Sequence, residues 1–168
     1  MEHRFPSRFA EPEDTALVLS LICELAEYEK MSDQVVTDEK MLHSALFEQK
    51  AAEALIGEED GVPVAFAPVF FHNFSTFVGR RGLYLEDVYI RPPYRGRGYG
   101  KTILKKLAAL AVERGCGRME WTCLDWNEPS IGFYLSLGAQ PMSEWTVYRL
   151  SGDSLAALAA ELMSIGEV

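Results

Sequence analysis

Apolar residues recur three and four positions apart in two long stretches of the chain, which is the spacing of an amphipathic helix. The first stretch follows Glu11-Pro12, where the proline suits a first helical turn, and runs to about Lys30. The second begins near Gly98 and ends at Gly115, which stands where a C-terminal cap belongs. Shorter helices are predicted over 38–48, 128–137 and 153–164. The apolar positions of the two long helices are Val18, Leu21, Ile22, Leu25 and Ala26, and Ile103, Leu104, Leu107, Leu110 and Ala111.

Apolar runs bounded by turn residues predict six strands. They cover residues 4–10, 52–57, 63–72, 83–90, 118–124 and 141–150. Strands and helices mixed in this order are typical of an α/β or α+β domain in which helices pack on a mixed sheet. The chain has 168 residues, without a sequence repeat or a linker, so we expect one domain over 1–168.

The charge balance and the spacing of cysteine and histidine narrow the class of function. The 25 acidic residues outnumber the 16 Lys and Arg, and the net charge of −9 disfavours a nucleic-acid partner. It suits a cationic substrate, although it also fits plain solubility. No apolar run reaches the roughly 18 residues that span a membrane, and no secretion signal is seen, so we expect a cytoplasmic protein without a membrane partner. The three cysteines and three histidines lack metal-ligand spacing, and we expect no metal.

The stretch Arg95-Gly96-Arg97-Gly98-Tyr99-Gly100-Lys101 places three glycines at alternate positions between a strand and a helix. Free N–H groups and the dipole at a helix N-terminus favour an anion, and glycines allow a phosphate to approach the backbone. Two common nucleotide motifs fail here, because Walker A requires a glycine where Arg95 stands and the dinucleotide motif requires one where Lys101 stands. The stretch therefore predicts a pyrophosphate site with three nearby cations. The alternative is a tight connection with a solvated basic rim.

Two carboxylates stand in the middle of the apolar strand predicted over 83–90. Successive side chains of a strand point to opposite faces, so Glu86 and Asp87 cannot both face solvent unless the strand is splayed or lines a cleft. A carboxylate in a cleft can act as a base or hold a cationic substrate. The alternative is an edge strand with one charge outward and the other paired with an arginine.

The stretch Trp126–Tyr134 predicts the start of a helix, with Asn127 as N-cap and Pro129 in the first turn. Tyr134 lies one to two turns into this helix. Its phenol could protonate a departing thiolate, although an aromatic residue at such a position is more often part of a core.

The segments LYLEDVYIRPPYRGRGYGKTILKKL and LDWNEPSIGFYLSLGA occur in the order and spacing of a known family. They resemble the GNAT acetyltransferases, which transfer acetyl from acetyl-CoA to amines, and most of all the branch of diamine (spermidine/spermine) and thialysine N-acetyltransferases. The likeness extends from ELAEYEK at 24–30 to Leu150. It implies a GNAT fold, in which a central, mixed and largely antiparallel sheet is splayed between its fourth and fifth strands. Helices flank this sheet, and acetyl-CoA lies in the gap.

The resemblance also implies a role for each matching residue. Tyr134 falls on the general acid that protonates the CoA thiolate. Glu86 falls on the carboxylate that helps to remove the ammonium proton, through water or with a raised pKa. The positions at the substrate end are Tyr28, Glu29 and Asp87, and Ser75, in the loop considered next, is a further candidate for a substrate contact. The expected acetyl-CoA contacts are the backbone of Val88, Tyr89 and Ile90, the loop of Arg95, Gly96, Arg97, Gly98, Tyr99, Gly100 and Lys101, and the residues Asn127, Glu128, Pro129 and Ser130.

The loop read as Asn73–Phe77 bears on the acceptor. It lacks the acidic residue and tryptophan of polyamine-acetylating members, which favours a short amine or a lysine-like amino acid. We therefore expect a small-molecule amine as substrate, acetyl-CoA as donor, and direct attack on the thioester. The alternatives are a catalytically silent CoA-binding module and a protein lysine acetyltransferase. The branch is typically dimeric, and the apolar positions of the last helix, Leu155, Leu158 and Leu162, suit a homodimer interface or a domain core.

Overall fold

The computed structural model describes residues 6–165, and within that range it leaves out the side chains of 66–69 and 162–165. The Leu162 side chain and the first two positions of the strand expected over 4–10 therefore lie outside the described part. The chain forms two compact units, which divide between Thr122 and Cys123. The single domain expected from the sequence stays a prediction.

The first unit is built on a six-stranded sheet. Its strands are β1 Ser7–Phe9, β2 Glu53–Glu59, β3 Val62–Ser75, β4 Arg80–Leu85, β5 Tyr89–Ile90 and β6 Met119–Trp121. The order across the sheet is β1-β2-β3-β4-β6, and β5 also lies beside β3. β4 and β6 are parallel and all other paired strands are antiparallel, which confirms the predicted mixed, largely antiparallel sheet.

The strand predicted over 83–90 is interrupted in its middle. β4 and β5 pair with β3 in one unchanged register, and residues 86–88 between them belong to neither strand. On its other edge, β4 pairs with β6 as far as Leu85 and Trp121. Past that point, no strand within residues 6–165 pairs with this edge of β5. The sheet therefore opens next to Glu86 and Asp87, where the resemblance implies a splay.

Helices α1 (Thr15–Tyr28) and α3 (Tyr99–Glu113) contact β3 and bury most of the apolar positions that their spacing predicted. A short helix, α2 (Glu39–His43), packs beside α1 and continues as a wider helical turn through Ser44–Glu48. Within residues 6–165, no helix has both the length and the apolarity to cross a membrane. The largest fully buried side chains of this unit are Val18, Leu21, Ile56, Val64, Phe70, Leu83, Leu85, Ile103 and Leu107.

The second unit contains α4 (Glu128–Ser136) and α5 (Gly152–Ile165). The strand predicted over 141–150 is wrong, because these residues form a turn and irregular backbone. Trp145 and Tyr148 in this segment are 72% and 92% exposed. A strand needs a neighbour for its backbone hydrogen bonds, and an apolar composition alone does not provide one. Leu155 and Leu158 of α5 are also about half exposed, at 52% and 56%, so they do not form a core.

Candidate active site

The loop between β5 and α3 has a backbone suited to an anion. Gly96 and Gly98 adopt the left-handed conformation, with φ of 75° and 84°, and a Cβ at either position would meet no atom within 4 Å. Glycine is therefore required here by the backbone torsion and not by crowding. An early bond of α3 runs from Thr102 N to Gly98 O at 3.0 Å, so the N–H groups of Gly100 and Lys101 have no acceptor within the helix. These donors and the helix dipole favour a phosphate.

Both arginines of this loop have partners within the protein. Arg95 Nε donates to the backbone O of Ile90 at 2.8 Å, and the guanidinium carbon lies 4.4 Å from the centre of the Tyr28 ring. Arg97 Nη1 donates to the two carboxylate oxygens of Glu59, each at 3.0 Å. Arg95 therefore connects the loop to the end of α1, and Arg97 connects it to the end of β2. The sequence predicted cations around a phosphate but not these two attachments.

Glu29, just after α1, and Glu86, at the opening of the sheet, both lie close enough to Asp87 to act on its charge. Burial, followed by the negative charges of Glu29 and Glu86, raises the pKa of Asp87 to about 7. Burial also raises the pKa of the Glu29 carboxyl. Glu86 is exposed and Asp87 is half-buried, as expected for neighbours in an extended stretch. A cation bound here would favour the ionised carboxylates and offset their mutual repulsion.

An ion pair fixes the C-terminal half of α1 to the sheet. Arg91, directly after β5, donates to the Glu24 carboxylate on α1 at 2.6 and 2.9 Å and to the backbone O of Pro63 at 2.7 Å. Both side chains of the pair are only about one-third exposed. The pair holds Tyr28 and Glu29, one turn further along, close to the opening of the sheet. Sequence reasoning missed this contact because Glu24 and Arg91 lie 67 positions apart.

Ser75 lies far from these carboxylates. It is the last residue of β3 and pairs with Arg80, whereas the unchanged register places Pro68 opposite Asp87. The seven residues from Pro68 to Ser75 span about 23 Å of strand, at roughly 3.3 Å per residue. Ser75 is buried, and its Oγ accepts a hydrogen bond from Val78 N at 3.3 Å within the turn between β3 and β4. The structure does not bring Ser75 and Asp87 together, so a substrate contact by Ser75 has no support from the geometry.

The second unit carries the remaining predicted residues. Asn127 stands at the N-cap position of α4, but its side chain makes no capping bond. It is 7% exposed, and its Oδ1 has no hydrogen-bond partner among the described residues. A buried amide oxygen without a partner is costly, and a bound ligand can satisfy it. Tyr134 is half-buried on α4, and its ring centre lies 5.5 Å from that of Phe133.

Comparison with known proteins identifies the family. Residues 19–139 match the acetyltransferase (GNAT) family. This range includes the loop with Gly96 and Gly98 between β5 and α3, called the glycine loop below, together with Tyr134 and the carboxylates near Asp87. The chain belongs to the GNAT family. The structure of an integron cassette protein from the mobile metagenome of V. cholerae aligns with a TM-score of 0.77 at 25% identity and covers 95% of this chain and 98% of that one. The GNAT fold implied by the sequence is thereby confirmed.

Two relatives confirm the branch of the GNAT family. A thialysine N-epsilon-acetyltransferase from Bos taurus is 39% identical over 165 residues, which cover 92% of this chain and 96% of the relative. An L-ornithine N5-acetyltransferase from Arabidopsis thaliana is 32% identical, with coverage of 93% and 89%. The chain is an N-acetyltransferase, and GNAT enzymes use acetyl-CoA as the acetyl donor. Within residues 6–165, no three His, Cys, Asp or Glu side chains are grouped as a metal site requires.

Proposed function

We propose that this GNAT enzyme acetylates a primary amine of a small cationic substrate, either a lysine-like amino acid such as thialysine or ornithine, or a diamine. The observation that carries the proposal is the gathering of Glu29, Glu86 and Asp87 beside the opening of the sheet. Several carboxylates at one place attract a cation and raise its local concentration. The names of the relatives, for thialysine and for L-ornithine, support the same class of acceptor.

The donor site that we propose is the glycine loop with the free edge of β5. The N–H groups at the start of α3 donate to the pyrophosphate, and Gly96 and Gly98 give the loop its shape. Asn127 offers a buried Oδ1 that has no hydrogen-bond partner within the described part of the chain. When bound, acetyl-CoA supplies the acetyl thioester that the amine attacks. The further proposed contacts are the backbone of Val88, Tyr89 and Ile90 and the first turn of α4 at Glu128, Pro129 and Ser130.

Removal of the ammonium proton is assigned to the carboxylates at the opening. Transfer from an ammonium of pKa about 10.4 to a carboxylate of ordinary pKa, about 3.9, costs about 9 kcal/mol. Transfer to Asp87, with its pKa of about 7, costs about 5 kcal/mol. The burial that raises the pKa of Asp87 therefore makes it a better proton acceptor. Glu86, which is exposed, passes the proton on directly or through water.

Tyr134 is the proposed acid. A tyrosine hydroxyl carries a proton that it can donate to the thiolate as it leaves. The role rests on the match between the WNEPSIGFY segment and the family. Direct transfer from thioester to amine then needs no protein nucleophile.

The proposal is tested by measuring CoA thiol release with acceptors that differ in charge at constant length. Putrescine and butylamine have the same chain length, and butylamine lacks the second positive charge. We expect kcat/KM to be at least about tenfold higher for putrescine, because a charge-assisted pair contributes about 1.5 kcal/mol or more. Thialysine, lysine, ornithine, spermidine and a lysine-containing peptide complete the series. Equal kcat/KM for the two matched amines would contradict the role of the carboxylates, and a peptide acetylated faster than every free amine would favour a protein substrate.

Homodimerisation and a cytoplasmic location stay predictions. The exposed Leu155 and Leu158 on α5 suit a contact with a second copy. Light scattering at micromolar concentration measures the mass in solution, and a monomer would contradict the dimer.

A further inference from the structure

Glu59, the last residue of β2, contacts the glycine loop at two residues. Its two carboxylate oxygens accept hydrogen bonds from Arg97 Nη1, each at 3.0 Å, and Oε1 also accepts one from the Tyr99 hydroxyl. The Glu59 side chain is 16% exposed, against 49% for that of Arg97. Arg97 and Tyr99 lie on either side of Gly98. Glu59 therefore holds the loop at the two positions that flank a glycine in the left-handed conformation.

The hairpin between β2 and β3 gives Glu59 a defined position. Asp60 and Gly61 connect the strands, with φ of 52° and 79°. Positive φ at both central residues is typical of a tight two-residue hairpin turn. The pairing of β2 with β3 begins at Glu59 and Val62. Glu59 therefore reaches the loop from the paired end of a strand.

Arg97 extends the same connection to the turn before the loop. Its Nη2 donates to the backbone O of Pro93 at 3.3 Å, and its guanidinium carbon lies 5.2 Å from the centre of the Tyr94 ring. Gly96 and Gly98 have no side chains with which to fix the loop. The shape of the loop therefore depends on contacts made by its neighbours.

We propose that Glu59 is a positioning residue for the acetyl-CoA pyrophosphate, because it holds the glycine loop in the shape that presents N–H groups to the anion. The inference rests on the proposed function, in which this loop binds the pyrophosphate. A loop that is already ordered binds more tightly than one that must lose its conformational freedom on binding. A carboxylate that acted mainly by repelling the phosphate and occupying Arg97 would instead weaken the binding of acetyl-CoA. Removal of the Glu59 charge raises the KM for acetyl-CoA if Glu59 orders the loop, and lowers it if Glu59 repels the phosphate.

Glu59→Gln removes the charge while it keeps the size of the side chain and one acceptor. We expect the KM for acetyl-CoA to rise about tenfold, because a charge-assisted pair of hydrogen bonds is weakened, with little change in kcat at saturation. S-acetylpantetheine lacks the pyrophosphate, so kcat/KM for this donor should stay the same. Glu58→Gln is the matched control, because Glu58 is the neighbouring carboxylate and pairs with Arg8 at 3.1 Å instead of the loop. It should change neither donor's kinetics.

Three results would overturn the role of Glu59. A lower KM for acetyl-CoA in Glu59→Gln would mean that Glu59 competes with the phosphate for Arg97. An unchanged KM would mean that the contact does not matter for binding. An equal loss with S-acetylpantetheine would indicate a general structural effect. If Glu59→Gln does not fold, Tyr99→Phe replaces it, because this variant removes only the hydroxyl that donates to Glu59, and a rise in KM confined to acetyl-CoA is again expected.

Calorimetric titration with acetyl-CoA separates this inference from the proposed function. A wild-type chain that does not bind acetyl-CoA would contradict both. Wild-type binding that Glu59→Gln leaves equally tight would contradict only the role of Glu59.

Discussion

Asp87→Asn removes a carboxyl group whose ionisation the fold opposes. Burial, followed by the charges of Glu29 and Glu86, raises the pKa of Asp87 from 3.8 to about 7. At about 1.4 kcal/mol for each tenfold change in proton affinity, this rise corresponds to about 4 kcal/mol. The folded chain bears this destabilisation in full above pH 7, where the carboxyl is ionised in both the folded and the unfolded state. The destabilisation is absent below about pH 4, where the carboxyl is protonated in both states.

We therefore expect Asp87→Asn to be more stable than the wild type by up to about 4 kcal/mol at pH 8. The advantage should shrink through the window from pH 7 to pH 4 and vanish at its lower end. Urea unfolding followed by circular dichroism at intervals across this window measures the difference in free energy of unfolding. The same variant should bind the amine more weakly, since stabilising an active site by removing a functional charge commonly lowers activity.

Asp14→Asn is a control of opposite sign. A hydrogen bond from Arg8 holds the pKa of Asp14 below its usual value, so this variant should be less stable than the wild type near neutral pH. Its deficit should shrink as the pH falls. A stability difference for Asp87→Asn that is zero at pH 8, or the same at every pH, would refute the burial and repulsion inferred for Asp87.

The other residues of the site give three further expectations. Tyr134→Phe should lower kcat by about a hundredfold or more while calorimetry finds acetyl-CoA bound almost as tightly, and undiminished turnover would remove Tyr134 from the mechanism. Glu86→Gln should move the acid side of the pH profile of kcat/KM for the amine to lower pH, because the Glu86 charge helps to raise the pKa of Asp87, and an unmoved profile would contradict this coupling. Gly98→Ala should lose about 1–2 kcal/mol of stability and raise the KM for acetyl-CoA, because φ at this position is 84°. Gly115, beyond the other end of α3, has φ of 69°, so Gly115→Ala should lose similar stability without a change in the KM for acetyl-CoA. An equal rise in KM in this variant would mean that the rise in Gly98→Ala reflects lost stability and not the loop's part in binding acetyl-CoA.

The helices could be predicted because the local pattern and the packing agree. Val18 and Leu21 on α1, and Ile103 and Leu107 on α3, are fully or almost fully buried, as their spacing indicated. The strands were less predictable, because pairing decides where they end. β3 runs to Ser75, beyond the predicted end at residue 72, since its pairing with β4 continues through polar positions.

Contacts between distant elements could not be predicted from the sequence. The family likeness placed Glu86 at proton removal, but the burial that raises the pKa of its neighbour Asp87 depends on packing that the local sequence does not show. Glu59 and Arg97 lie 38 positions apart, and nothing in the charge pattern of one strand indicates which opposite charge it will meet. The role of Tyr134 came from the family likeness, since its position in a helix is equally typical of a core residue.

Mass spectrometry of the reaction product tests most directly the central claim, acetyl transfer to a small cationic amine. The wild-type chain is incubated with acetyl-CoA and thialysine, ornithine or lysine, and the acetylated amine is quantified together with the CoA released. We predict one N-acetylated amine for each CoA released, and a large loss of product with Tyr134→Phe. CoA released without any acetylated amine, or no acetylated product from a chain that binds acetyl-CoA, would contradict the claim.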